Sequence, residues 1–412
     1  MKEIKKVCLE YKLYIILLIY ILFVFSSLKK VGMPLVDGIE TNNVIVITLL
    51  SFFIILFKRN FHINKLKAQV YGTLLSICSI YGIIVVENTP QFIYAGAQLF
   101  VPMLLLLVCG KQNKQSFYAT IKVFNLVSTI YALIAIYVSV NYPEIYQNAS
   151  NTVGGLSRIA MPIGSTITLS YYMNISLPFA LILFYEENKK IYKSFYLISV
   201  IINILITFMQ LSRSASFTAV IIVLVFIFFV QSDKRGKGKF SLFMAILFAV
   251  CYIFNKFDLS RLTLSVIGNA SGFDDARYSA VELGLHLFSK HPILGTGLGS
   301  YFHRAWTGNN VLHVDGVSGL IDPHNSFVLI LSETGIIGFL LFLFFLFICF
   351  KKLMIIQDSA IRRGSYLFVI AIFINAMSGS QLVNEINYAC ITYIYLSVFL
   401  GQVNMRHEEN EK

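Results

Sequence analysis

Apolar runs recur along almost the whole chain, and short polar segments carrying Lys and Arg separate them. Most runs are roughly 17–25 residues long, the length that crosses about 30 Å of hydrocarbon as a helix. They do not alternate apolar with polar residues, as the strands of a membrane barrel would. In lipid every backbone N–H and C=O must be satisfied within its own segment, so the runs read as helices. The pattern predicts twelve spans, near 12–28, 43–57, 66–86, 91–109, 118–140, 165–185, 194–210, 214–231, 240–255, 323–350, 365–381 and 384–402. The expected fold is an all-α integral membrane protein of about twelve transmembrane helices. Residues 1–255 carry nine spans, 256–322 form one large loop, 323–402 carry three spans and 403–412 form a tail. The run at 12–28 lacks a small-residue cleavage site and is expected to remain as the first span.

Composition agrees. Hydrophobic residues make up 57% of the 412 and charged residues 13%, about half the charged fraction of soluble domains. The net charge of +12 does not imply nucleic acid, because the cations sit in short turns between spans. With the N-terminus inside, 24 of the 33 Lys and Arg residues fall on inner segments and nine on outer ones. Both termini are therefore expected in the cytoplasm and the large loop outside. The six cysteines lie in or beside apolar runs, and none is in the large loop. They read as buried thiols rather than a disulfide framework.

The large loop, 67 residues long, holds Arg277 and Arg304 on the side that the charge bias otherwise keeps poor in cations. A loop of that length is usually functional. Asp274 or Asp275 can cap an amphipathic helix near 274–289, with Val281, Gly284, Leu285 and Phe288 on the same face as Arg277 and Glu282, His286 and Lys290 opposite. Asp274-Asp275 reads as a cap rather than a metal pair, since no His or Glu lies beside it. His291-Pro292 ends the helix, and GTGLG follows at 295–299. That run is not the G-x-G-x-x-G of a nucleotide fold, and tight turns or close backbone approach account for it.

Three residues carry candidate chemistry. Arg213 joins two apolar spans with almost no turn, at the outer rim of a helix. A cation there is costly, so it is a candidate anion-binding residue as well as a candidate snorkelling one. Arg277 is expected at the start of its helix. The helix dipole disfavours a cation there, whereas a phosphate would meet both the guanidinium and free backbone N–H groups. His324 follows Asp322-Pro323 and opens a long span. A neutral imidazole at that surface can take a proton from a hydroxyl. His286, His291, His303 and His313 are rivals expected to lack a fixed helical context. Glu333 lies nine residues beyond His324, about 13 Å deeper and on the opposite helix face. It reads as a buried polar group bonded within the bundle. Arg158, in the outer segment 141–164, and Arg304 are weak candidates.

SRSAS at 212–216, ARYSAVELGLHLFSKHPILGTGLGSY at 276–301 and PHNSFVLILSETGIIG at 323–338 resemble the motifs of the O-antigen ligase and polymerase family. The motifs cover roughly the second half of the chain. The resemblance implies a bacterial glycosyltransferase of GT-C type in the cytoplasmic membrane, working without metal or other cofactor. The implied donor is a glycan on undecaprenyl pyrophosphate. Arg213 and Arg277 match the family arginines that hold the donor pyrophosphate, and His324 matches the histidine proposed to deprotonate the acceptor hydroxyl. A base on the far face of the sugar would give inversion. The implied partners are the lipid-linked donor, a glycan or lipid-linked glycan acceptor, the bilayer, and other polysaccharide-assembly proteins.

Two outcomes of one reaction remain open. A polymerase would join repeat units of a capsule or O-antigen, and a ligase would move the finished chain to lipid A core or another envelope acceptor. The Ile-, Lys- and Asn-rich composition, typical of AT-rich genomes, tips the expectation towards polymerase. A flippase for the same lipid-linked glycan would need cations along a cavity but no base. The internal repeat that would favour it is not visible. A noncatalytic scaffold is the remaining alternative.

Overall fold

The computed structural model describes residues 65–86, 88–107, 113–141, 152–153, 156–157, 166–210, 212–230, 273–307 and 322–402. The spans expected near 12–28, 43–57 and 240–255, Arg158, His313 and the 403–412 tail lie outside the described residues.

The described helices are α1 (Lys65–Val85), α2 (Thr89–Leu107), α3 (Lys114–Asn141), α4 (Thr166–Glu186), α5 (Lys190–Met209), α6 (Arg213–Val225), α7 (Phe273–Lys290), α8 (Ser300–Thr307), α9 (Ser326–Leu353), α10 (Ser359–Ser378), α11 (Gln381–Asn384) and α12 (Ile386–Gly401). A π-helical turn, Phe226–Val230, continues α6. Among the described residues seven helices (α1–α5, α9 and α10) are long and apolar enough to cross a membrane. Apart from a two-residue antiparallel pair, Thr152–Val153 with Leu156–Ser157, the described elements are helical, as the apolar runs predicted.

Helix ends differ from the hydropathy reading where polar caps set them. α10 begins at Ser359 rather than near 365, because Asp358 Oδ1 accepts from Ala360 N at 3.0 Å and Ile361 N at 3.1 Å. Arg362 and Arg363 therefore lie inside its first turns, where hydropathy alone would not place a span. The chain then breaks at Ser380–Glu385, which leaves α12 only 16 residues, about 24 Å at 1.5 Å per residue.

α4 is the hub: its span is 94% buried inside the protein. Its apolar residues run all round rather than along one stripe, the pattern of a fully enclosed helix. Phe179 of α4 stacks on Phe399 of α12 with centroids 5.1 Å apart, and meets Phe124 of α3, Phe368 of α10 and Tyr395 of α12. Such aromatic contacts fix four helices around one ring.

The loop after α7 is built into α9. Gly335 breaks α9, with φ 62 and ψ −170. In an unbroken helix Ile336 N would bond to Ser332 O and Ile337 N to Glu333 O. Here Ile336 N donates to Pro292 O at 2.9 Å and Ile337 N to Ile293 O at 3.3 Å. The two carbonyls released accept from Thr296 N at 3.0 Å and Gly297 N at 2.9 Å. Four loop bonds thus replace two helix bonds, and irregular backbone at this depth stays satisfied because protein surrounds it. Tyr81 of α1 pins the loop further by donating to Gly295 O at 2.9 Å. Gly295 and Gly335, both at positive φ, lie back to back. A Cβ on Gly335 would come within 2.5 Å of Gly295 N and meet Ile293 O.

Gly335→Ala is therefore expected to destabilise the protein by about 3 kcal/mol or more, through strain at a glycine-only conformation and a backbone clash. Gly72→Ala on α1, where an added Cβ meets nothing within 4 Å, should be neutral or stabilise by up to about 1 kcal/mol. Thermal unfolding of the two purified variants checks the contrast. Equal melting would contradict the backbone exchange.

Candidate functional site

The segment 322–326 forms a tight turn. His324 has φ 46, and it is the only residue other than glycine at positive φ among those described. Asp322 makes the turn: its Oδ1 accepts from His324 N at 2.9 Å and its Oδ2 from Ser380 Oγ at 2.5 Å. Ser326 then fastens the start of α9 to Gly379 O, through its N at 3.0 Å and its Oγ at 2.7 Å. Asn325, not His324, caps α9, with Oδ1 accepting from Phe327 N at 2.9 Å and Val328 N at 3.1 Å. His324 therefore does not open the helix as the sequence suggested. It stands just before it, in a conformation that costs a non-glycine residue free energy and that recurs at functional sites.

Arg213 is the first residue of α6, after Ser212, whose side chain accepts from Ala215 N. This end of α6 is tied to α4 and α10. Tyr171 OH stands 3.3 Å from Ser214 Oγ and donates to Ser378 O at 2.8 Å, and Asn174 Nδ2 donates to Ala215 O at 3.0 Å. Ser378 precedes Gly379 and Ser380, the two residues that hold the His324 turn. The starts of α6 and α9 thus lie at one rim, and each brings the positive end of a helix dipole to it.

The register of α7 against α9 brings Arg277 towards the same rim. Gly284 of α7 sits against Val328 of α9, and eight residues further on in both segments Pro292 pairs with Ile336. The two segments therefore run side by side in the same direction. Continuing backwards puts Glu282 level with Ser326, the first residue of α9, and Arg277 five residues, about 7.5 Å, beyond that level on the side of the His324 turn. Tyr301 OH donates to Ala280 O at 2.9 Å and helps hold this register. Burial, with the Asp322 and Glu333 carboxylates nearby, raises the Tyr301 pKa and keeps it a donor.

Several expectations need correction. α7 begins at Phe273, so Arg277 is its fifth residue and not at its start. The N–H groups left free by the helix belong to the residues before it. The buried stripe of α7 is Ala280, Leu283, Gly284 and Leu287, while Leu285 is 46% exposed. Gly284 allows the closest approach to α9 and turns the stripe away from the 281, 285 and 288 positions. His286 and His303 sit within α7 and α8, so helical context does not single out His324. Arg304 is on α8. Glu333 is buried, but its partners are loop backbone rather than another span: it accepts from Tyr301 N at 3.2 Å and from Gly299 N. It caps the start of α8.

Asp322, Ser380, Gly379 and Tyr171 were missed by sequence reasoning. Only Asp322 had a local signal, an Asp-Pro turn ahead of the histidine. The others depend on contacts between distant segments. Beneath the rim a cavity of about 200 Å³ is lined by Gln91, Tyr94, Gln98, Leu298, Phe302, Glu333 and others. Among the described residues no three His, Cys, Asp or Glu side chains gather as metal ligands.

Residues 198–343 fit the family model described as O-antigen ligase. That range includes Arg213, Arg277, the Gly295–Gly299 loop, His324 and Gly335. No curated protein matches the chain.

The strained turn yields a stability test. His324→Gly should be more stable than His324→Ala by about 1 kcal/mol, because glycine adopts positive φ without penalty. Chemical denaturation of both variants measures the difference. A His324→Ala protein as stable as His324→Gly would argue against the turn.

Proposed function

We propose, for a chain whose residues 198–343 match the O-antigen ligase family model, that it is a GT-C-type membrane glycosyltransferase acting on a lipid-linked glycan. Members of that family are membrane glycosyltransferase-like enzymes. The donor would be a glycan on undecaprenyl pyrophosphate and the acceptor a sugar hydroxyl. The observation that carries the reading is that the start of α6, which carries Arg213, is bonded to the turn that carries His324, while the α7–α9 register brings Arg277 towards the same rim.

In the proposed reaction Arg213 and Arg277 hold the pyrophosphate. Guanidinium forks match phosphate oxygens, and the positive ends of α6 and α9 add to the field. His324 takes the proton from the acceptor hydroxyl. The new bond forms between that oxygen and the anomeric carbon as the carbon–oxygen bond to phosphate breaks. The bonding pair leaves on the pyrophosphate, where the two arginines stabilise the growing charge. Attack from the face opposite the leaving group inverts the anomeric centre. Charge stabilisation by arginine removes the need for a divalent metal.

The polarity of the bundle supports a bacterial cytoplasmic membrane with the rim facing outward and both termini inside. The ends of the helices far from the rim carry Lys65, Lys114, Lys190, Lys351 and Lys352, which is the positive-inside pattern. Joining repeat units into a capsule or O-antigen is the first reading of the outcome. Ligation to lipid A core or another envelope acceptor is the second. Arg158 and Arg304 are assigned no role.

The test uses purified protein in lipid with the undecaprenyl-pyrophosphate glycan and acceptor. His324→Ala should cut turnover by about 10²–10⁴-fold with donor affinity kept. Arg213→Ala and Arg277→Ala should each weaken donor binding by about 1.5–3 kcal/mol. EDTA should leave the rate unchanged. Absence of a new glycosidic bond would end the enzyme reading, and wild-type turnover by His324→Ala would remove the base.

A further inference from the structure

Arg213 opens α6 and His324 stands in the turn before α9, so their spacing must be set by a group that reaches both. Tyr171 of α4 does so. It is fully buried and lies outside the matched range 198–343. Its hydroxyl donates to Ser378 O at 2.8 Å, with Ser378 Oγ 3.0 Å and Ser214 Oγ 3.3 Å away. Ser214 directly follows Arg213. The Tyr171 ring also supports Gly379, where a Cβ would come within 2.5 Å of Tyr171 Cε2. Gly379 O receives both donors of Ser326, and Ser380 Oγ holds the Asp322 carboxylate that bends the chain at His324. One phenol therefore connects the start of α6 to the His324 turn through Ser378, Gly379 and Ser380.

A second set of bonds holds the helices together when that hydroxyl is lost. Asn174, about one turn further along α4, bonds to Ala215 O at 3.0 Å and to Asn375 Oδ1 at 3.3 Å. Asn375 in turn reaches Tyr388 OH at 3.1 Å. These bonds attach α6 to α4 and α10 without the phenol. The Tyr171 hydroxyl is thus placed to set fine alignment at the rim rather than to hold the bundle.

We infer that Tyr171 is a positioning residue for glycosyl transfer, fixing the end of α6 that carries Arg213 against the turn that carries His324. This rests on the reaction proposed above. It acts through those two residues and does not touch the substrate. Losing the hydroxyl leaves each binding element intact but lets their separation drift. Misplacement by about 1 Å can cost on the order of 100-fold in rate.

The test is Tyr171→Phe in the full chain in lipid, with undecaprenyl-pyrophosphate glycan as donor. Tyr395→Phe serves as a matched control, since Tyr395 is an equally buried tyrosine bonded to Ser176 Oγ at 3.2 Å. Tyr171→Phe should lower kcat by roughly tenfold or more, with donor KM within about twofold of wild type. Tyr395→Phe should keep the wild-type kcat. Wild-type kcat in Tyr171→Phe, or an equal loss in the control, overturns the inference. Should Tyr171→Phe fail to fold, Ser214→Ala decides: a kcat loss of about threefold or more at unchanged KM supports the link, and an unchanged kcat overturns it. His324→Ala in the same assay separates the two levels. If it turns over normally, His324 is not the base and the role of Tyr171 falls with it. If it is inactive while Tyr171→Phe is normal, only the role of Tyr171 falls.

Discussion

Ile336 and Ile337 cannot bond to the helix they belong to, because Gly335 turns the backbone out of it. In a membrane-spanning segment two unsatisfied N–H groups and two unsatisfied carbonyls would be prohibitive. The loop 292–297 supplies partners for all four. This exchange joins α7 to α9 in register, seats the start of α8 on Glu333, and brings Arg277 towards His324. It also explains why the glycines stand where they do. Gly295 and Gly335 meet back to back, so neither position has room for a side chain.

The rim is assembled by two independent devices. The backbone exchange fixes α7 and α8 to α9. A side-chain network through Tyr171, Ser378, Gly379 and Ser380 fixes α6 to the same turn. Asp322 completes it by bending the chain at His324 into positive φ. Two arginine-bearing segments and a constrained histidine thus share one end of a bundle whose opposite end is rich in lysine. Under the proposed reaction, that polarity would suit an anionic lipid-linked donor held at the outer surface with its tail in the bilayer.

Much of this was legible in the sequence. Long apolar runs located α1–α5, and Arg213 and Arg277, outside the Lys-rich turns, drew attention to two segments that the structure brings towards the His324 turn. GTGLG was recognisable as close backbone approach, which Gly295 and Gly299 satisfy against Glu333 and Gln91. Hydropathy could not see the break at Gly335, because a glycine inside an apolar run looks like a tolerated one. Nor could a helical wheel place Glu333, whose partners come from a loop more than thirty residues away. Tyr171 carried no local signal, since its role depends on α6 and α10 arriving beside it. Caps moved the helix ends: Asn325 and Asp358 set starts that a hydropathy window smears over several residues.

The central claim is that one pyrophosphate-linked sugar is held between Arg213 and Arg277 with His324 on the other side of its reacting carbon. An experimental structure of the protein with bound undecaprenyl-pyrophosphate glycan tests this most directly. The account predicts diphosphate density contacted by the Arg213 and Arg277 guanidiniums, with the His324 imidazole facing the anomeric carbon from the side opposite the phosphate. Diphosphate bound elsewhere, or a His324 ring turned away from the sugar behind the phosphate, would contradict it.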